Sequence, residues 1–156
     1  MLRTVAWAAR LRPVTWFLVN VGNRIDPALM KISGGRLKST INAPTVLLTH
    51  RGAKTGRERT TPLAYFTDGD KVVVIASRGG HQRHPAWYHN VRANPEVELW
   101  SGGSGGSYRA REAEGAERDR LWHAATSFYP GFVSYQARAG ERRIPVVVCE
   151  PERPAA

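Results

Sequence analysis

Residues 59–77 read Arg59-Thr-Thr-Pro-Leu-Ala-Tyr-Phe-Thr-Asp68-Gly69-Asp70-Lys71-Val-Val-Val-Ile-Ala-Ser77. Two runs of β-branched and aromatic residues flank Asp68-Gly69-Asp70, a strong signal for a β-hairpin. Pro62 cannot donate to a ladder, so the first run needs an edge, a bulge or a break there. Outward from this hairpin the same texture recurs. Residues 44–50 form a short apolar run, 96–100 and 108–114 alternate polar with apolar, and 144–149 form a closing buried run. Pro85 suits the first turn of a helix over 86–92, which Asn94-Pro95 ends. A second helix over 116–129 places Leu121, Trp122, Ala125 and Phe128 on one side. Six strands, short turns and few helices predict a mainly β (α+β) fold, a small, partly closed antiparallel barrel. The segment from Ser101 to Ser107, all Gly and Ser, reads as a flexible turn.

The 156 residues suit one ordinary domain, divided here into 1–38, 39–151 and a tail, 152–156. At neutral pH the chain carries +10, and +9 of it lies in residues 1–60. Such a field favours an anionic partner. One cysteine, Cys149, excludes an internal disulfide framework and a multi-cysteine metal site, and a reducing, cytoplasmic setting is expected. In residues 2–21, Trp7, Leu11, Val14, Leu18 and Val21 form one apolar helical stripe among arginines. It reads either as a helix packed on its own domain or a partner subunit, or as a cationic helix lying on an acidic membrane face. Its apolar stretch is too short to span a bilayer.

Four clusters carry the candidate chemistry. Arg51-Gly-Ala-Lys54-Thr-Gly-Arg57-Glu-Arg59-Thr-Thr61 puts cations, glycines and hydroxyls in one inter-strand turn, a combination suited to phosphate oxygens. The glycines of a P-loop are missing, since Ala53 and Thr49 stand in their places, and a strand follows where a helix should. Ala76-Ser77-Arg78-Gly79-Gly80 offers a hydroxyl, a guanidinium and two glycines at a strand end. In Pro85-Ala86-Trp87-Tyr88-His89-Asn90 the aromatics either stack on a planar ring or pack in the core, and Asn90 can hydrogen-bond a ligand. Tyr129, Phe132 and Tyr135 form an aromatic wall in which the tyrosines can donate protons. His81, His84 and His89 are spaced as in a loop with no neighbouring carboxylate or cysteine, so no metal is expected. Gly102 to Gly106 matches G-x-S-x-G literally, but a nucleophile elbow needs a helix directly after it.

Taken together and in order, these stretches resemble the deazaflavin-dependent nitroreductase and quinone reductase family, whose members use reduced coenzyme F420. That cofactor is an 8-hydroxy-5-deazaflavin with a phosphate and a polyglutamate tail. Residues 46–63, 75–80, 84–95, Tyr129-Pro130, Tyr135-Gln136 and 144–149 carry the resemblance. It implies a split β-barrel of the FMN-binding type, an often dimeric barrel, and hydride transfer to a planar, electron-poor acceptor such as a quinone or nitroaromatic. By position it implies a cofactor site of Ala53, Lys54, Thr55, Arg59, Thr60, Thr61, Pro62, Leu63 and Ala64. Ile75, Ala76, Ser77, Arg78, Ala86, Trp87, Tyr88, His89 and Asn90 would complete that site. Tyr129, Phe132 and Tyr135 would face the substrate, with Tyr129 and Tyr135 as candidate proton donors. Phe132 stands where a relative that reduces nitroimidazoles has tyrosine, which removes one proton donor. The alternatives are an FMN-dependent reductase, or a barrel that binds a flavin or deazaflavin without turnover. No nucleic acid is expected, because cations and aromatics occupy different parts of the chain.

Overall fold

The structure is a computed structural model and describes residues 43–153. The amphipathic stripe of residues 2–21 lies outside the described residues. Six strands form a closed antiparallel barrel: β1 (Thr45–Arg51), β2 (Glu58–Asp68), β3 (Lys71–Ile75), β4 (Glu96–Ser101), β5 (Ser104–Glu112) and β6 (Val146–Pro151). Around the barrel they run β1, β2, β3, β6, β5, β4, and β4 closes back on β1. Helix α1 (Ala86–Ala93) joins β3 to β4, while α2 (Gly115–Phe128) and α3 (Gly131–Ala139) join β5 to β6.

Two apolar cores explain the valine runs. Val72 and Val74 of β3 and Val147 and Cys149 of β6 point into the barrel with Val46, Leu48, Val97 and Leu99. Val73, Ile75, Val146 and Val148 point outward, beneath Leu121 and Ala125 of α2 and Phe132 and Tyr135 of α3. A strand covered on both faces has no polar side to show, so β3 and β6 read as continuous apolar runs. Burial pushes the Cys149 thiol up to about 12, leaving it an inert core residue.

Two expectations change. The Gly-Ser segment is mostly strand: Ser104–Ser107 belong to β5 and pair with Glu98–Ser101 of β4. Only Gly102 and Gly103 turn, at φ +61° and +90°, and two successive positive φ values are what a tight hairpin requires. Gly105 has no room for a side chain, since a Cβ would lie 2.9 Å from the Leu99 carbonyl and 3.1 Å from the Trp100 ring. Secondly, the helix expected over 116–129 ends at Phe128, so Tyr129 caps it and the rest of the aromatic wall lies beyond it. Pro130-Gly131 intervenes, and Phe132 and Tyr135 belong to the separate helix α3.

Pro62 falls where β2 is paired on one side only. Residues 58–64 of β2 pair with β1, whereas residues 65–68 pair with β3. The ladder to β3 stops at Tyr65↔Val74. Beyond it the two strands diverge, with residues 59–64 on one side and Ile75 and the following loop on the other.

Candidate functional site: a basic barrel end beside an aromatic wall

That divergence brings two of the sequence clusters face to face. Cross-strand register separates residues 59–64 between two surfaces, because partners in an antiparallel ladder share a face. Thr61 opposes Leu48 and Leu63 opposes Val46, so Arg59, Thr61 and Leu63 belong to the interior face. Thr60, Pro62 and Ala64 lie on the outer face, the face on which Val73 and Ile75 meet α3. The contiguous set 59–64 therefore serves two environments.

The wall stands over the outer face. Tyr129 and Phe132 meet edge to face at 5.2 Å between ring centres, and Phe132 and Tyr135 likewise at 6.0 Å. Tyr129 and Tyr135 hydroxyls are 3.3 Å apart. Burial, reinforced by the hydrogen bond to Tyr129, holds the Tyr135 phenol well above its ordinary range, so Tyr135 stays protonated at neutral pH. Phe66 of β2 reaches Phe128 at the end of α2, 6.4 Å between ring centres.

The cationic turn is ordered by its own bonds. Gly52 N–H donates to the Arg57 carbonyl and Gly56 N–H to the Gly52 carbonyl, both at 2.8 Å. Gly56 has φ +64°, and a Cβ on Gly52 would lie 2.7 Å from the Thr55 hydroxyl. Ala53, Lys54, Thr55, Arg57 and Arg59 are all exposed. Among the described residues, none of Arg51, Lys54, Arg57 and Arg59 forms an ion pair. Elsewhere on the barrel, cations are matched: Lys71 and Arg111 with Glu150, Arg111 with Glu117, Arg120 with Asp68. Cations outside any ion pair thus gather at the end of the barrel where the turn, the 76–84 loop and α1 meet.

Helix α1 plugs that end. Trp87, Tyr88 and Val91 join the interior core. The Tyr88 hydroxyl donates to Glu112 at 2.5 Å, and burial together with that carboxylate raises the phenol to about 12. Asn90 is buried too, which leaves Ala86 and His89 as the exposed members of this cluster. Of the two readings of Trp87 and Tyr88, the structure places both rings in the packing.

Asn90 belongs to a polar network that contains His50, a residue the sequence reading passed over. The Asn90 Oδ1 accepts from the Ala53 N–H at 2.9 Å, and its Nδ2 lies 3.3 Å from His50 Nδ1. His50 Nε2 lies 3.1 Å from the Thr61 hydroxyl. Since the amide nitrogen only donates, His50 Nδ1 accepts and the proton sits on Nε2, giving a neutral imidazole. The signal was the alternation Val46, Leu48, His50, which puts a histidine on the interior face. Burial, followed by the nearby Arg59 charge, depresses its pKa to about 4. Between about pH 6.5 and 4 the unfolded chain thus binds a proton that the native one refuses. Stability should fall by about 3 kcal/mol as pH drops through that window. His81 and His84 are also lowered, chiefly by burial, and act with the same sign. Urea denaturation of wild type and His50→Gln across this range isolates the His50 share, and an equal slope in both would refute it.

The other residue passed over is Arg142, which binds the 76–84 loop from the far side. Its partners are distant in sequence (Ala76 is 66 positions away), so no local motif marks it.

A barrel that groups unpaired cations, a glycine-containing loop and a wall of rings has the makings of an oxidoreductase scaffold, holding a planar anionic cofactor against a planar acceptor. Residues 23–151 match the family described as F420H(2)-dependent quinone reductase. An F420H(2)-dependent quinone reductase of Mycobacterium tuberculosis is 40% identical over 130 residues, covering 80% of this chain and 87% of the relative. A solved F420-H2 dependent reductase, FDR-A, is 39% identical with a TM-score of 0.64, covering 70% of this chain and 99% of that one. A second solved structure, described as a domain-swapped dimer, is 35% identical with a TM-score of 0.66, covering 81% of this chain and 96% of that one. The chain belongs to the F420H(2)-dependent quinone reductase family. It is an oxidoreductase whose cofactor is coenzyme F420. Among the described residues no helix is long and apolar enough to cross a membrane, and no cluster of metal-ligating side chains is present.

Proposed function

We propose that this protein reduces quinones with F420H2 bound in the divergence between residues 59–64 and the 75–78 loop. The observation that carries the reading is the set of uncompensated cations, Lys54, Arg57 and Arg59, beside a barrel gap that an aromatic wall overlooks. A phosphate and a polyglutamate tail fit such a set chemically, since each cation lacks an acidic partner among the described residues. When bound, the deazaflavin supplies hydride, the demanding part of the chemistry.

The chain's own residues bind, orient and exclude water. Lys54 and Arg59 hold the anionic part, with Ala53 and Thr55 offering backbone and hydroxyl groups from the same turn. Thr60, Pro62 and Ala64 form a small-residue floor on the outer face, and Ile75, Ala76, Ser77 and Arg78 close the other side. Ala86 and His89 border the site, while Trp87, Tyr88 and Asn90 support it from within. Half-buried Tyr129 offers the acceptor a ring to stack on, with Phe132 and Tyr135 buried behind it as its support, a surface suited to planar, electron-poor molecules, nitroaromatics included. The Tyr129 hydroxyl, half-buried and linked to Tyr135, is placed to pass a solvent proton to the acceptor oxygen. Tyr135 is a weak acid in its buried position, so its role is to orient Tyr129.

Two extensions follow from charge and kinship. The +9 of residues 1–60 suits peripheral contact with an anionic membrane, where quinones dissolve. Flotation with anionic vesicles tests it, and no loss on deleting residues 1–25 would sink it. A homodimer draws support from the domain-swapped relative and is tested by mass measurement in solution.

The deciding experiment is titration with F420 and with FMN while following tryptophan fluorescence. Saturable quenching by F420 and oxidation of F420H2 on adding menadione are expected. Saturation by FMN alone would overturn the assignment, and F420 binding without turnover would leave a carrier.

A further inference from the structure

Residues 76–84 form a loop that its own backbone barely holds. Arg78, Gly79 and Gly80 occupy the left-handed region in succession, at φ +47°, +61° and +80°. For a residue with a side chain, such as Arg78, that region costs about 1 kcal/mol or more. Within the loop, Gly80 N–H donates to the Ser77 carbonyl and His81 N–H to the Arg78 carbonyl at 3.0 and 3.2 Å, while the Arg78 guanidinium reaches the His84 carbonyl at 3.2 Å and Arg83 N–H donates to His81 Nδ1 at 3.0 Å.

The guanidinium of Arg142 adds a larger set of bonds from outside the loop. Its Nε donates to the His81 carbonyl at 2.8 Å, Nη1 to the Ala76 carbonyl at 3.1 Å and Nη2 to the Ser77 carbonyl at 2.8 Å. Nη1 also lies 3.2 Å from His84 Nδ1. An arginine only donates, so Nδ1 accepts there and His84 is neutral. Four contacts from one planar fork span both ends of the loop. No carboxylate among the described residues pairs with this half-buried guanidinium, so the carbonyls are its compensation.

The same residue is tied to the substrate wall. Gln136, the neighbour of Tyr135, donates from Nε2 to the Arg142 carbonyl and accepts from the Ile144 N–H, both at 2.9 Å. Gly80 meets α3 directly, since a Cβ there would lie 2.6 Å from the Tyr135 carbonyl.

We propose that Arg142 is a positioning residue that sets the 76–84 loop for cofactor binding and fixes it relative to the aromatic wall. A trans peptide places N–H opposite C=O. By drawing the Ser77 carbonyl toward itself, Arg142 turns the Arg78 N–H the other way, and it holds Arg78 in a conformation the residue would otherwise leave. The inference rests on the reading that F420 binds beside residues 75–78.

The test compares wild type, Arg142→Ala and Arg142→Lys. The alanine variant should bind F420 about tenfold more weakly by tryptophan quenching, because loop ordering is then left to the ligand. Its kcat at saturating cofactor should change little. Trypsin should cut it faster after the exposed Arg78 and Arg83. The lysine variant keeps the charge but loses the fork and should fall between the two. Added ethylguanidinium should restore affinity and protection to the alanine variant. Unchanged affinity and unchanged cleavage in both variants would overturn the proposal. If the alanine variant does not fold, the lysine variant decides: wild-type affinity and protection overturn it, and a graded loss of both supports it. A wild type that fails to bind F420 overturns the site reading itself, whereas equal binding by wild type and variants overturns only the role of Arg142.

Discussion

Replacing Lys54 and Arg59 together by alanine is expected to weaken F420 binding about a hundredfold and to flatten its salt dependence. A hydrogen bond to a charged group contributes about 1.5–3 kcal/mol when buried, and an exposed one correspondingly less. A loss of about 1.4 kcal/mol at each position gives tenfold twice over. Neither side chain has an ion-pair partner among the described residues, so little native stability depends on them. The unfolding midpoint should hold while the dissociation constant rises. Tryptophan quenching at low and high salt checks both parts. Wild-type affinity, or a salt slope as steep as before, would remove this turn from the cofactor site.

Asn90→Ala should cost about 2 kcal/mol of stability. The side chain is 9% exposed and satisfies two groups at once. Its removal strands His50 Nδ1 in the buried part of the network, at about 1–3 kcal/mol for an unsatisfied group, and takes from the Ala53 N–H its partner on the exposed turn. The cationic turn loses its anchor to α1, so F420 affinity should fall as well. Asn90→Asp provides a contrast. Its carboxylate still accepts from Ala53, but it cannot donate to His50 and instead draws a proton onto the imidazole. That variant should keep more stability at pH 5 than at pH 8, reversing the wild-type trend. Urea denaturation at the two pH values measures it, and an unchanged midpoint for Asn90→Ala would show the network to be incidental.

The barrel was legible because its signals are local. Asp68-Gly69-Asp70 marks a hairpin, Asn94-Pro95 ends a helix, and β3 and β6 read as buried runs. The first strand of the β4–β5 hairpin was legible too, whereas Ser104–Ser107 was not. Glycine and serine have poor strand propensity, and their pairing comes from the partner strand and from Trp100, which fills the space a side chain at Gly105 would need. The division at Pro130-Gly131 was likewise obscured, because Phe128, Tyr129 and Phe132 continue a helical spacing across it. Kinship with the F420 family rests on short stretches whose order is distinctive even though each is weak alone.

By itself, the sequence determined the strand count, the cationic turn, the aromatic wall and the cofactor class. The first three are written in short local stretches whose chemistry does not depend on neighbours elsewhere, and the cofactor class in the order of such stretches along the chain. Only the tertiary structure decided which of the predicted residues face outward at the gap, that Trp87, Tyr88 and Asn90 turn inward, and that His50 and Arg142 matter at all. Alternation along β2 splits residues 59–64 between two faces according to a register that β1 imposes. The partners of His50 and Arg142 are brought together only by barrel closure and by the packing of α3, which no local pattern encodes.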